Sequence, residues 1–197
     1  MKMRRTLLRN AKTVSVISVP VNLGQPFLGP DLTPHLLKEH GLSQLLASCG
    51  WRSEMVPDIV ATGMPPTHVP NEDVILGNAK NCAEVGYVSE KIFHTVKKHA
   101  ESDNFVLILG GDHCIPIGTI PGIMSARRNT GVVWVDAHAD LNVPLTSNSG
   151  NMHGKSKLSC PILSSSNRIY SDTTIISITV YFVRDAGCIS VEPCEEC

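Results

Sequence analysis

The sequence lacks any apolar stretch approaching the roughly 18 residues that a bilayer span needs, so a soluble chain without a membrane partner is expected. It also lacks charge of one dominant sign. Lys and Arg number 17 against 18 Asp and Glu, a net charge of −1, which gives no electrostatic basis for binding nucleic acid or an anionic membrane surface. Internal repeats and charged linkers are absent. The seven cysteines are odd in number and lack the regular spacing of a secreted disulfide framework. Cys49, Cys82 and Cys114 fall in apolar context and are expected as buried thiols. Cys194 and Cys197 have CxxC spacing, but a single pair at a chain end reads as tail rather than as a zinc or redox site.

What is present is a chain of 197 residues, 42% hydrophobic and 18% charged, in the range of one globular domain with a full core. Lys2, Arg4, Arg5, Arg9 and Lys12 precede the first acidic residue, Asp31. This bias suits a basic lead-in to a first strand better than a mitochondrial presequence. A cytoplasmic location is expected, with the mitochondrial matrix as the alternative.

Thr13–Val19 is rich in β-branched residues and alternates, as a strand does. A Gly/Pro-rich loop follows. Thr33-Pro34 then reads as an N-cap with proline at the first helical position, opening a helix toward Cys49 with Leu36, Leu37, Leu45 and Leu46 on its apolar side. Residues 51–60 form a candidate second strand. Residues 70–99 read as the best helix of the chain, where Val85, Val88, Ile92 and Val96 recur at helical spacing and Lys97, Lys98 and His99 suit its C-terminal end. "FVLILGG" reads as a buried strand, 117–124 as a short helix, and "GVVWVDAH" as a further strand. Apolar strands separated by helices predict an α/β fold on a mainly parallel sheet. Ligands bind such sheets at the carboxyl ends of strands, which is where "GGDH" and "DAHAD" fall.

In an extended chain, side chains two apart share a face. Asp136, His138 and Asp140 are therefore expected to converge if strand geometry persists past the strand end. His113, at the end of the neighbouring apolar strand, can reach the same volume. Two imidazoles and two carboxylates are a mixed N/O donor set, suited to Mn²⁺, Zn²⁺ or Fe²⁺ and unlike a thiolate structural zinc site.

At this point "LGGDH", "VVWVDAHADLN" and "PLTSNSGNMHG", with Gly24-Gln25, Gly29, Pro34 and Gly41-Leu42 upstream, resemble the arginases, of the manganese-dependent ureohydrolase family. The resemblance spans about residues 13–154. It implies a three-layer α-β-α domain of the arginase/deacetylase type, incomplete toward the C-terminus, and an enzyme that hydrolyses L-arginine to L-ornithine and urea by attack of metal-bound hydroxide on the guanidinium carbon. It implies two Mn²⁺ per subunit, with His113, Asp136, His138 and Asp140 as ligands and Asp136 bridging. Asn142, Ser149 and Asn151 would hold the α-carboxylate and α-amino end of the substrate. His153 would shuttle protons at the leaving amine, with Asp140 beside it at the catalytic centre, and Asp112 would be a turn residue or stand behind the ligands. A homo-oligomer, trimeric or hexameric, is implied as well.

The pattern also departs from the family. Cys114 stands where serine is usual, and Pro116 where a helix-compatible residue is usual, a change that a first helical turn accommodates. After Gly154 no Asp-x-Asp pair follows, and the texture becomes rich in serine and cysteine, with 173–183 as one candidate strand. The expected organisation is thus the N-terminal part of an arginase-like domain over 1–154 and a divergent tail over 155–197. Four donor side chains are few for two Mn²⁺ ions that each prefer about six ligands, so one ion or none held stably is expected. Two alternatives follow for function. One is a non-catalytic short form that binds metal weakly or associates with full-length subunits; the other is an agmatinase-like ureohydrolase.

Overall fold

The structure, a computed structural model, describes residues 13–63, 79–127, 130, 132, 134–136, 140 and 148–155. Three parallel strands form its sheet. β1 (Thr13–Val19) lies in the centre, flanked by β2 (Arg52–Met55) and β3 (Phe105–Gly110). The β1–β3 ladder runs in register from Val14 opposite Phe105 to Val19 opposite Gly110. β2 is shorter than the expected 51–60, yet the chain stays beside β1 through the Val56 amide on the Val16 carbonyl and the Ile59 amide on the Ser18 carbonyl.

Alternation along β1 divides the core in two. Ile17 and Val19 face one side, where they meet Val85, Val88, Ile92 and Val96 of the long helix α3 (Cys82–Glu101), and residues 79–81 of the expected 70–99 helix lie ahead of it. Val14 and Val16 face the other, with Leu109 and the partly buried Leu42, Leu46 and Trp51. Helices therefore cover both faces, and the described residues form three layers, as expected. The apolar spacing of α3 is what seats it: its four large residues on one stripe are at most 1% exposed, and such burial stabilises by about 1.5–3 kcal/mol per side chain.

α4 (Pro116–Ala126) packs against α3 on the same layer. Its contact is close because a Cβ at Gly118 would lie 2.3 Å from the Ser89 carbonyl oxygen, and one at Gly122 would lie 2.9 Å from that of Phe93. Pro116 sits in the first turn of α4, where its missing N–H costs little.

Three expectations are corrected. The single helix from Thr33 is two, α1 (Thr33–Glu39) and α2 (Leu42–Ser48), divided at Gly41, whose φ of 93° lies outside helical geometry. Thr33 is inside α1 rather than capping it, since Leu32 holds the N-cap position and no side chain caps it. The break turns the leucines to different directions: Leu46 joins the core, but Leu36, Leu37 and Leu45 are 48%, 44% and 61% exposed. Next, the described residues of the expected strand over 131–138, namely Val132, Trp134, Val135 and Asp136, lie outside any strand. An apolar run signals burial without specifying ladder pairing, and Val135 is in fact 41% exposed. Finally, of the three cysteines expected to be buried, only Cys114 is; Cys82 is half-buried, and Cys49 is exposed because it ends α2 on the outer layer. The candidate strand over 173–183 and the basic N-terminal residues lie outside the described residues.

Candidate metal centre

The site begins where β3 ends. Past Gly110 the chain keeps following β1, with the Gly111 amide on the Val19 carbonyl and the Asp112 amide on the Val21 carbonyl, both at 2.9 Å. Only glycine allows this approach: a Cβ at Gly111 would stand 1.9 Å from the Val21 oxygen. The chain then turns into α4, and buried Asp112 holds the turn by accepting the Cys114 amide on Oδ1 at 2.7 Å. This turn presents His113 at the carboxyl end of the strand.

His113 Nδ1 lies 2.7 Å from Asp140 Oδ2 and 3.4 Å from Asp136 Oδ2. The three side chains are sheltered, at 20%, 7% and 11% exposure in the order His113, Asp140, Asp136. The Trp134 ring stands against the imidazole, with centroids 5.0 Å apart. One ligand atom from each of His113, Asp136 and Asp140 falls within 4.8 Å of the others. Among the described residues this is the one group of histidine, cysteine or acidic side chains so arranged. Two hard oxygens and an imidazole nitrogen facing one volume fit a divalent cation of the Mn²⁺ or Zn²⁺ type.

Asp140 has φ 51°, in the left-handed region, and residues 137–139 between it and Asp136 lie outside the described residues. His138 and Asn142 lie outside the described residues.

Ser149, Asn151 and His153 belong to a second segment, 148–155, which ends in a single 3-10 turn (His153–Lys155). It is docked at two points. The Lys80 amide donates to the Gly150 carbonyl at 2.9 Å, and the Gly24 carbonyl accepts the His153 amide at 3.1 Å. Within it, the Asn151 amide donates to Ser149 Oγ at 3.3 Å; Ser149 is exposed, while Asn151 and His153 are half-buried. The ring of His153 is fixed by Nδ1 donating to the same Gly24 carbonyl at 2.8 Å. Asp112, next to His113, accepts the Gly24 amide at 2.7 Å. The segment carrying His153 is thereby tied to the strand end carrying His113.

Gly24 and Asn81, which donates to the Leu23 carbonyl, were not legible as site residues in the sequence. Gly24 stands there only among the residues that carry the resemblance, and Asn81 inside the helix expected over 70–99. Cys114 lies against this loop, and burial, with the Asp112 carboxylate close by, pushes its thiol far above the ordinary range.

The chain is similar to known proteins of one family. The model of the Arginase family matches residues 12–176, which reaches beyond the expected boundary at Gly154. The arginase of Bacillus subtilis is 39% identical over 143 residues, covering 73% of this chain and 46% of its own length. Among solved structures, the arginase of Bacillus caldovelox superposes with a TM-score of 0.64 at 34% identity, over 74% of this chain and 47% of that one. The arginase of Entamoeba histolytica in complex with L-ornithine gives a TM-score of 0.60 at 35% identity, over 75% of this chain and 49% of that one. The chain thus spans about half the length of each of these relatives.

Proposed function

The chain belongs to the arginase family, and from that premise we propose that its site serves arginase chemistry, the hydrolysis of L-arginine to L-ornithine and urea. The observation that carries this reading is the convergence of His113, Asp136 and Asp140 at the carboxyl end of β3, inside the stretch that matches the family. These three side chains, with His138 by resemblance, would hold Mn²⁺. The chemistry that the ion supplies when bound is acidification of water, which yields a strong nucleophile near neutral pH for a poorly electrophilic guanidinium carbon. With four such donors, one ion per chain is expected rather than two.

The remaining roles belong to the chain's own groups. Asn142, Ser149 and Asn151 hold the α-carboxylate and α-amino end of the substrate. His153 gives a proton to the departing amine, a task suited to an imidazole near neutral pH. Its ring is already oriented by the Gly24 carbonyl. The E. histolytica relative, solved with L-ornithine, supports a site shaped for the α-amino-acid end. Agmatine lacks the α-carboxylate and is expected to be a poorer substrate. A homo-oligomer, trimeric or hexameric, in the cytoplasm, or alternatively in the mitochondrial matrix, completes the reading.

The test is to measure manganese per chain and urea release from arginine and from agmatine, for the native sequence and for His138→Ala and Asp140→Asn. Urea from arginine that both substitutions abolish supports the proposal. A preference for agmatine overturns the substrate. Bound manganese without urea from either compound identifies a non-catalytic, metal-binding form.

A further inference from the structure

Three segments distant in sequence meet at Gly24. Its amide donates to Asp112 Oδ2 at 2.7 Å. Its carbonyl accepts twice from one residue, from the His153 backbone amide at 3.1 Å and from His153 Nδ1 at 2.8 Å. The other end of the Leu23–Gly24 peptide is held as well, since Asn81 Nδ2 donates to the Leu23 carbonyl at 2.8 Å. The approach is so close that a Cβ at Gly24 would lie 2.8 Å from Cys114 Cβ, 2.9 Å from Asp112 Oδ1 and 3.1 Å from the His153 amide nitrogen.

The two bonds from His153 to one oxygen close a ring through its own backbone, which fixes the direction of the imidazole as well as its place. A carbonyl oxygen only accepts, so the proton must sit on Nδ1. When the ring is neutral, Nε2 is then the basic nitrogen; when it is charged, Nε2–H is the proton available for transfer. Which tautomer an imidazole adopts is set by the bond its other nitrogen makes, and here that bond depends on where the Gly24 carbonyl points.

We propose that Asp112 is a positioning residue: by holding the Leu23–Gly24 peptide, its carboxylate fixes the Gly24 carbonyl and, through it, the Nδ1-protonated tautomer and the ring direction of His153. Asp112 is 5% exposed and spends both oxygens on backbone amides, Gly24 and Cys114. It therefore sets the loop after β1 and the turn that presents His113 in one arrangement. The catalytic weight of this strut rests on His153 acting as the proton donor, as proposed above; its geometry does not.

The test is nitrogen-15 NMR on the metal-free, full-length chain above pH 8, with His153 assigned by comparison with His153→Gln. The native sequence is expected to show the Nδ1–H form for His153, scalar coupling from the His153 amide nitrogen to the Gly24 carbonyl carbon, and coupling from the Gly24 amide nitrogen to the Asp112 carboxylate carbon. In Asp112→Asn, whose amide can accept from only one of the two N–H groups, His153 is expected to shift to a mixture of tautomers while the fold is retained. An Nε2–H form in the native sequence overturns the proposal, and so does an unchanged His153 in a folded Asp112→Asn. Should that variant not fold, the native couplings decide alone, and their absence overturns it. Because no metal, substrate or turnover enters the measurement, a failure of the arginase reading would leave this outcome distinct.

Discussion

The His113 imidazole and the Asp140 carboxylate stand 2.7 Å apart, and Asp140 holds a left-handed φ of 51°. A left-handed residue other than glycine is uncommon and is retained where surrounding contacts over-determine it. The Asp140 carboxylate oxygen meets the same ring nitrogen that Asp136 faces at 3.4 Å.

Asp140→Asn is expected to lower manganese affinity by at least about tenfold, the least that is typical even for residues standing behind the ligands. Equilibrium dialysis with metal analysis checks it, and native-like retention of manganese would remove Asp140 from the ligand set.

Gly111→Ala forces a Cβ to within 1.9 Å of the Val21 carbonyl oxygen, an atom of backbone that cannot rotate away. The expected loss is about 3 kcal/mol, the upper end of ordinary overpacking, or a fall in Tm on the order of 10 °C. Thermal melts followed by circular dichroism decide it; an unshifted Tm would mean that the strand end is not held against β1 as described.

Two leucine-sized truncations should differ sharply. Ile92→Ala opens the centre of the α3 stripe, where Ile92 has no exposure, and should cost about 2–5 kcal/mol. Leu45→Ala removes a side chain that is 61% exposed and should stay within about 0.5 kcal/mol. Chemical denaturation of both proteins gives the comparison, and equal losses would contradict the placement of α2.

Among the cysteines of the described residues, alkylation of the native chain, mapped by peptide mass, should modify exposed Cys49 first, half-buried Cys82 more slowly and buried Cys114 only on unfolding. Rapid labelling of Cys114 in the folded protein would show that the loop at Gly24 opens.

Much of this was legible in the sequence because it depends on periodicity. β1 is the alternating run Thr13–Val19 without adjustment, and the α3 stripe of Val85, Val88, Ile92 and Val96 is the buried face that its spacing predicted. The break at Gly41 was less legible, since the apolar pattern continued across it and a single backbone angle decides the division. The candidate site divided the same way. Residue type and spacing nominated His113, Asp136 and Asp140, but the distances that join His113 to the two carboxylates span segments far apart in the chain.

The sequence by itself determined the α/β alternation, the strand end on which the site stands, and the donor chemistry of that site, because each follows from local pattern and side-chain type. Tertiary structure alone decided how the donors converge and what orients His153. Those relations join residues 24, 112 and 153 through hydrogen bonds and a gap that only a glycine fits, and contacts between segments so far apart leave no period in the chain to read.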